Sequence, residues 1–460
     1  MLFNSLPFLI FLPTVVFIYY QLGHRQRQIF ILIASYAFYW VWSFKLSALL
    51  LATTVVDYSV ARWVEHEQRP RARKWIVSIS MAANLLMLGV FKYADFLSGS
   101  IAELTGVRPW PVLNLALPLG ISFYTFMSMA YVIDVYRREI TARKSLLEMA
   151  LFVAYFPHLV AGPILRASSL LPQLETKQPF KWDNIKRGVA LIVWGMLLKV
   201  YVADSVSKLV NEAYAAPGAT SGAGLLLATY GFAVQIYCDF AGYSDIAIGS
   251  ALMLGVELPE NFKQPYLSLT IRDFWRRWHI SLSSWLRDYL YIPLGGSRKG
   301  ELRTYVNLAL TMLLGGLWHG AGWNWVVWGG IHGVGLASER ALGVEDASKS
   351  SLPVKALRWL FTFHVVCLSW VFFRASSMEV AVEILQRIGT AAPGEWYGGF
   401  RPLYLLGLIL AIDAFGLRAR WLEIATGNAR TLRFVTYACL VILAFTFQGA
   451  SNPEFIYFQF

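Results

Sequence analysis

Apolar positions in this chain fall in long runs, separated by short polar stretches rich in arginine. Runs of roughly 15 to 20 residues without period-two alternation fit helices that cross a bilayer, not the short alternating strands of a membrane barrel. On that pattern helices are predicted near 2–20, 28–43, 46–61, 75–94, 112–136, 145–160, 188–204 and 223–255, the last long enough for two segments. Others are predicted near 304–317, 320–337, 356–373, 402–417 and 431–448. Several are short for a full crossing. The expectation is therefore an all-α polytopic membrane helical bundle of about 11 spans plus shorter or re-entrant helices. The opening MLFNSLPFLIFLPTVVFIYY lacks a basic n-region and a small-residue cleavage site, so it reads as the first span.

Composition sharpens this picture. Of 460 residues, 57% are hydrophobic and only 15% charged, against about 25% charged in soluble domains. The mean hydropathy is +0.50. The net charge of +12 could suggest nucleic acid, but the basic residues sit mostly in short loops. Cytoplasmic retention and anionic lipid headgroups explain that placement better, so membrane lipid is the expected partner and nucleic acid is not. Arg25 and Arg27, then Arg62, Arg69, Arg71, Arg73 and Lys74, then Arg137, Arg138, Arg143 and Lys144 occupy alternate loops. All three loops can face the cytoplasm together, which puts the N-terminus outside. Cys238, Cys367 and Cys439 lie in apolar surroundings without CxxC spacing, and read as buried free thiols rather than a metal site. The stretches 338–356 and 388–401 are the best polar loops, and residues 1–460 read as a single membrane domain.

Polar residues inside apolar runs then stand out, because each must find a partner or a task in a bilayer. The stretch 261–300, NFKQPYLSLTIRDFWRRWHISLSSWLRDYLYIPLGGSRKG, is too polar for a simple span. A helical reading places Arg272, Arg276 and His279 on roughly one face, and an interfacial amphipathic helix is its plainest description. His319 lies in MLLGGLWHGAGWNWVVWGGIHG, where small residues permit close backbone approach or leave room for a ligand. A histidine bonded across a packed glycine interface is the equal alternative. His332 has no claim beyond packing, His158 sits at a proline-flanked break, and His364 reads as a satisfied bundle residue. Gln235 and Asp239 share a helical face, with Ser244 and Asp245 beyond them. Arg272, Arg276 and Arg277 could supply the partner charge of that acidic cluster, either as a structural ion pair or as a clamp on an anionic donor. Gln235, Asp239, Arg272, Arg276, Trp318 and Asn324 are the candidates for lining a cavity. GxxxxGK(S/T), GxSxG and HExxH are all missing. Residue chemistry alone leaves an intramembrane enzyme using histidine as a base, or a transporter with a polar central site; the matched broken helices of a transporter are not visible.

RDFWRRWHISLSSWLRDYLYIPLGGS followed by GGLWHGAGWNWVVWGGIHG resembles the membrane-bound O-acyltransferase (MBOAT) family. PLGISFYTF, YVIDVYR, FPHLVAGPILR, YCDFAGYSDIAIG and the closing FIYFQF are similar to its bacterial, alginate-acetylating branch. The resemblance implies a helical bundle with a central funnel reached by re-entrant helices. It places the family's near-invariant histidine on His319 and a second catalytic position on His279. It implies acetyl-CoA as the acyl donor, no bound cofactor, no metal, and an acceptor hydroxyl reached from outside. The expected partner is an extracytoplasmic SGNH-type acetyltransferase or relay protein that completes O-acetylation of an exported polysaccharide, with alginate first and cellulose or teichoic acid as alternatives. A non-catalytic transporter or export subunit is the reading from another class. The bacterial inner membrane is the expected location.

Overall fold

Helices form the regular structure of the described residues, with one isolated β-bridge between Thr220 and Glu395. The computed structural model describes residues 1–159, 162–344 and 350–427, with Phe434, Val435, Ala438 and Ile442 beyond them. Apart from those four positions, the predicted helix at 431–448, Cys439 and the closing FIYFQF lie outside the described residues.

Among the described residues five helices are long and apolar enough to cross a membrane: Phe44–His66, Pro70–Thr105, Trp182–Ala215, Gly222–Met253 and Leu352–Arg374. A sixth crossing is possible if Arg401–Ala414 and Leu417–Thr426, bent by 64° between them, act together. The chain is thus an all-α, multi-pass membrane helical bundle. Two predicted boundaries change. The run at 223–255 is one helix, Gly222–Met253, of 32 residues; at 1.5 Å per residue it measures about 48 Å, longer than a bilayer's hydrocarbon core, and holds no proline to break it. The helix predicted at 112–136 begins only at Ile121. Pro111 and Pro118 precede it, and Asn114 and Gly120 have φ of 45° and 72°, which a helix cannot continue through.

The described residues divide into two compact units: Met1–Ile192 with Ile246–Pro259, and Val193–Asp245 with the described part of Glu260–Leu432. In the first, a fully buried Asp57 accepts from Ser80 Oγ (3.1 Å) and Asn84 Nδ2 (2.9 Å), tying Phe44–His66 to Pro70–Leu88. His158 follows the break between Leu146–Ala154 and Phe156–Leu159, and its Nε2 lies 3.1 Å from the Phe152 carbonyl oxygen. The basic loops gather at one end of this unit. Arg27 donates to Gln178 O (2.6 Å), Arg73 to Tyr136 O (2.7 Å), Ala142 N to Glu65 (2.8 Å), and Arg143 pairs with Glu175 (2.6 Å).

In the second unit the helices Trp182–Ala215 and Gly222–Met253 meet closely: a Cβ on Gly242 would sit 2.6 Å from the Gly195 carbonyl oxygen. Beside that contact a π-helical turn, Leu197–Ala203, swings Lys199 inward. Its ammonium lies 2.7 Å from both Asp204 and Asp239. Lysine on the neighbouring helix, not an arginine of the 272–277 stretch, is therefore the partner of Asp239; Arg277 pairs instead with Asp273 at 2.9 Å. Asp245 is held by Arg418, which also reaches Glu260.

Two outcomes are expected, the first from the charge of the loops and the second from the buried lysine. Single cysteines at Gln68 and Ile140 resist membrane-impermeant labelling in intact cells, while an N-terminal tag is reached from outside; strong labelling at either cysteine contradicts the orientation. Lys199→Met leaves the buried Asp239 carboxylate and the part-buried Asp204 without their lysine and destabilises the protein by about 3–5 kcal/mol. A thermal midpoint in detergent unchanged by Lys199→Met would contradict that role for the pair.

Candidate active site

The polar stretch after residue 260 is not one helix. Ile271–Arg277 ends, Trp278 is extended (φ −98°, ψ 129°), His279 is left-handed (φ 43°, ψ 54°), and Ile280–Leu286 begins. The single face predicted for Arg272, Arg276 and His279 does not exist, because the reversal at His279 turns its side chain off the first helix. Left-handed backbone is disfavoured for a residue with a Cβ, so something must hold it. Asn261 does so. Its carbonyl accepts Ile280 N (2.9 Å), its Oδ1 accepts Ser281 N (3.2 Å) and Ser281 Oγ (2.9 Å), and Lys263 N donates to Arg277 O (2.8 Å). The backbone groups freed by the break are thereby paired within the protein.

His319 arrives from another element. It is the last residue of Glu301–His319, and Gly320 and Gly322 run extended into Trp323–Ala341. The glycines serve close approach: a Cβ on Gly316 would strike the Trp325 carbonyl, one on Gly329 the Met312 carbonyl, and one on Gly320 the Trp325 indole. The two helices can therefore pack backbone to backbone, and the histidine is pressed into the aromatic core beside them.

The structure brings His279 and His319 together. Their ring centroids are 6.3 Å apart with planes at 51°, and their exposures are 0% and 4%. That separation exceeds a direct ring-to-ring hydrogen bond. Trp318 touches both, at 6.0 Å from His279 and 4.9 Å from His319. Phe240 packs edge-on to His279 at 4.6 Å, while Trp328 and Phe373 stand edge-on to His319 at 5.0 and 5.2 Å. Burial pushes the His279 imidazole down, to about 3, so this ring is neutral.

The remaining predicted site residues divide. Trp318 belongs to the histidine pair. Asp239 and Gln235 are buried on Gly222–Met253, where Asp239 is occupied by Lys199 and adjoins Phe240. Arg276 is exposed, and Arg272 gives its backbone N–H to Glu339 at 3.0 Å. Asn324 donates to the carbonyls of Phe372 (3.1 Å) and Ala375 (3.0 Å), fastening two helix ends. His332 is held by Trp275 Nε1 and Ser369 Oγ, and His364 by Tyr230 OH and Leu360 O, which are packing roles. Sequence reasoning missed Asn261, for which no local signal exists. It also missed Lys199, whose place in the apolar run MLLKVYVA was signal enough. Among the described residues no group of three His, Cys, Asp or Glu is arranged to hold a metal ion.

The model of the membrane-bound O-acyltransferase family matches residues 29–373. The chain is 44% identical to Probable alginate O-acetylase AlgI of Pseudomonas putida over 433 residues, covering 91% of this chain and 88% of that protein. It is 36% identical to the peptidoglycan O-acetyltransferase of Helicobacter pylori (84% and 79% covered) and 28% identical to the teichoic acid D-alanyltransferase of Bacillus subtilis (62% and 78% covered). The chain belongs to the membrane-bound O-acyltransferase family: it is a multi-pass O-acyltransferase of the bacterial inner membrane, closely related to the alginate O-acetylases.

Proposed function

We propose that this enzyme takes an acetyl group from cytoplasmic acetyl-CoA and passes it across the inner membrane for O-acetylation of an exported polysaccharide, alginate in the first instance. The observation that carries the reading is the meeting of two imidazoles from separate elements inside a buried aromatic shell. Support for alginate comes from its relatives in four Pseudomonas species and Azotobacter vinelandii, 41–45% identical and named for that polymer.

In this reading His319 is the base. It takes the proton of the acceptor hydroxyl as that oxygen attacks the thioester carbonyl; the carbon–sulfur bond then breaks, and the proton passes on to the leaving thiolate. The products are the O-acetyl ester and free thiol. The C-terminal end of Glu301–His319 carries the negative pole of that helix, which favours the charge His319 gains in transit. Neutral His279 orients or polarises the reacting carbonyl across the 6.3 Å gap. The aromatic surroundings limit hydrolysis of the thioester and strengthen both interactions.

The same reading extends to architecture and partners. The bundle crosses the membrane about 11 times, with the 271–291 stretch re-entering toward a central funnel. An extracytoplasmic SGNH-type acetyltransferase or a relay protein accepts the acetyl group and completes transfer to the polymer. No metal or bound cofactor takes part.

His319→Ala and His319→Gln accumulate as folded protein, yet lower acetyl content of the exported polysaccharide by about 10²- to 10⁴-fold per inserted molecule. His279→Ala is also severe, whereas His364→Ala keeps substantial activity. A monodisperse His319→Ala variant with near-normal acetylation contradicts the assignment.

A further inference from the structure

Away from the histidines, the second unit carries a groove of about 770 Å³. One wall is Trp323–Ala341, which presents Val326, Gly330, Val334 and Ser338 at four-residue intervals, and the other is Leu352–Arg374, presenting Arg358, Phe361 and Val365. From Val326 to Ser338 the groove follows the helix for about 18 Å, slightly more than one leaflet's share of a ~30 Å hydrocarbon core. Its two ends differ. The Val326 end is apolar, whereas Ser338, Glu339 and Arg358 cluster at the other. Glu339 is engaged there by the backbone N–H groups of Ile271 and Arg272. Arg358 gives one N–H to Val344 O at 3.3 Å, and among the described residues it makes no ion pair. A guanidinium has five donors, in a fork suited to phosphate.

Leu352–Arg374 is one of the helices able to cross the membrane, so this wall belongs to the bilayer. Val334 is 67% and Phe361 68% exposed. An apolar trough of this length, with a polar end where Arg358 stands beside a Glu339 carboxylate already engaged by backbone N–H groups, matches an amphiphile with a tail and an anionic head.

We propose that the groove binds one glycerophospholipid of the surrounding bilayer, with an acyl chain along Val326–Ser338 and the phosphate against Arg358. The site touches both histidine-bearing elements. Ile271, which opens the helix leading to the His279 break, lies 3.2 Å from the position of a Cβ on Gly335, and Leu313 of Glu301–His319 lines the same trough. A bound lipid therefore braces the segments that meet at the active site, although the binding itself is independent of the reaction proposed above.

The test is native mass spectrometry of the full-length protein. The protein is exchanged into lipid-free detergent, then titrated with phosphatidylglycerol or phosphatidylethanolamine, and separately with glycerol 3-phosphate and with palmitate. Gly330→Phe fills the trough, since a Cβ there has its nearest neighbour, Leu313 Cδ2, at 3.7 Å. Val334→Trp, at an exposed position, serves the same purpose if the first variant is not monodisperse. The expected result is one tightly retained phospholipid on the wild type and its loss in the filled variants. Arg358→Gln is expected to weaken phosphatidylglycerol retention about tenfold, as loss of a charge-assisted contact implies. Equal lipid retention by wild type and filled variants overturns the proposal. So does displacement of the lipid by glycerol 3-phosphate alone, or a copurifying polypeptide in place of lipid in the trough.

Discussion

A helix can break inside an apolar protein only if the backbone groups it releases find other partners. At Trp278 and His279 those partners come from Asn261 and Lys263, and the arrangement sets the position of an imidazole that a continuous helix would have aimed elsewhere. Asn261 is itself 1% exposed, so its bonds do not compete with bulk water. The site depends on this clamp more than on any pairwise contact of the histidines, because it fixes one of the two rings whose separation defines the chemistry.

The second ring is fixed by a different means. Glycines at 316 and 329 let two helices approach until side chains would collide, and His319 packs there against the rings of Trp328 and Phe373. One imidazole is thus placed by hydrogen bonds and the other by close packing. Charges are matched among themselves: the buried Lys199 by Asp204 and Asp239, and the part-exposed Arg418 by Asp245 and Glu260.

Much of this was legible in the sequence. The apolar runs gave most helices, and the polar residues His279, His319 and Asp239 that stood out within them are all buried, Asp239 against Lys199 and the two histidines beside each other. The break at His279 was not legible, since RDFWRRWHISLSSW has helical composition throughout and contains neither glycine nor proline to announce a reversal. The partner of Asp239 was missed because the arginines nearby in sequence looked sufficient, whereas the lysine that reaches it comes from a π-helical turn about forty positions away. Asn324 looked like a lining residue and proved to be a fastener, a role decided by the carbonyls at the end of Leu352–Arg374, which no local pattern reveals.

The central claim is that His279 and His319 act as one unit on a single thioester. Residues that do so are strongly non-additive when removed together. The direct measurement is thiol release from acetyl-CoA by membranes carrying the complete acetylation system, for each single alanine variant and for the double variant, normalised to inserted protein. The account predicts a double variant no slower than the slower single one. Losses that multiply, as for two sites working independently, would contradict it.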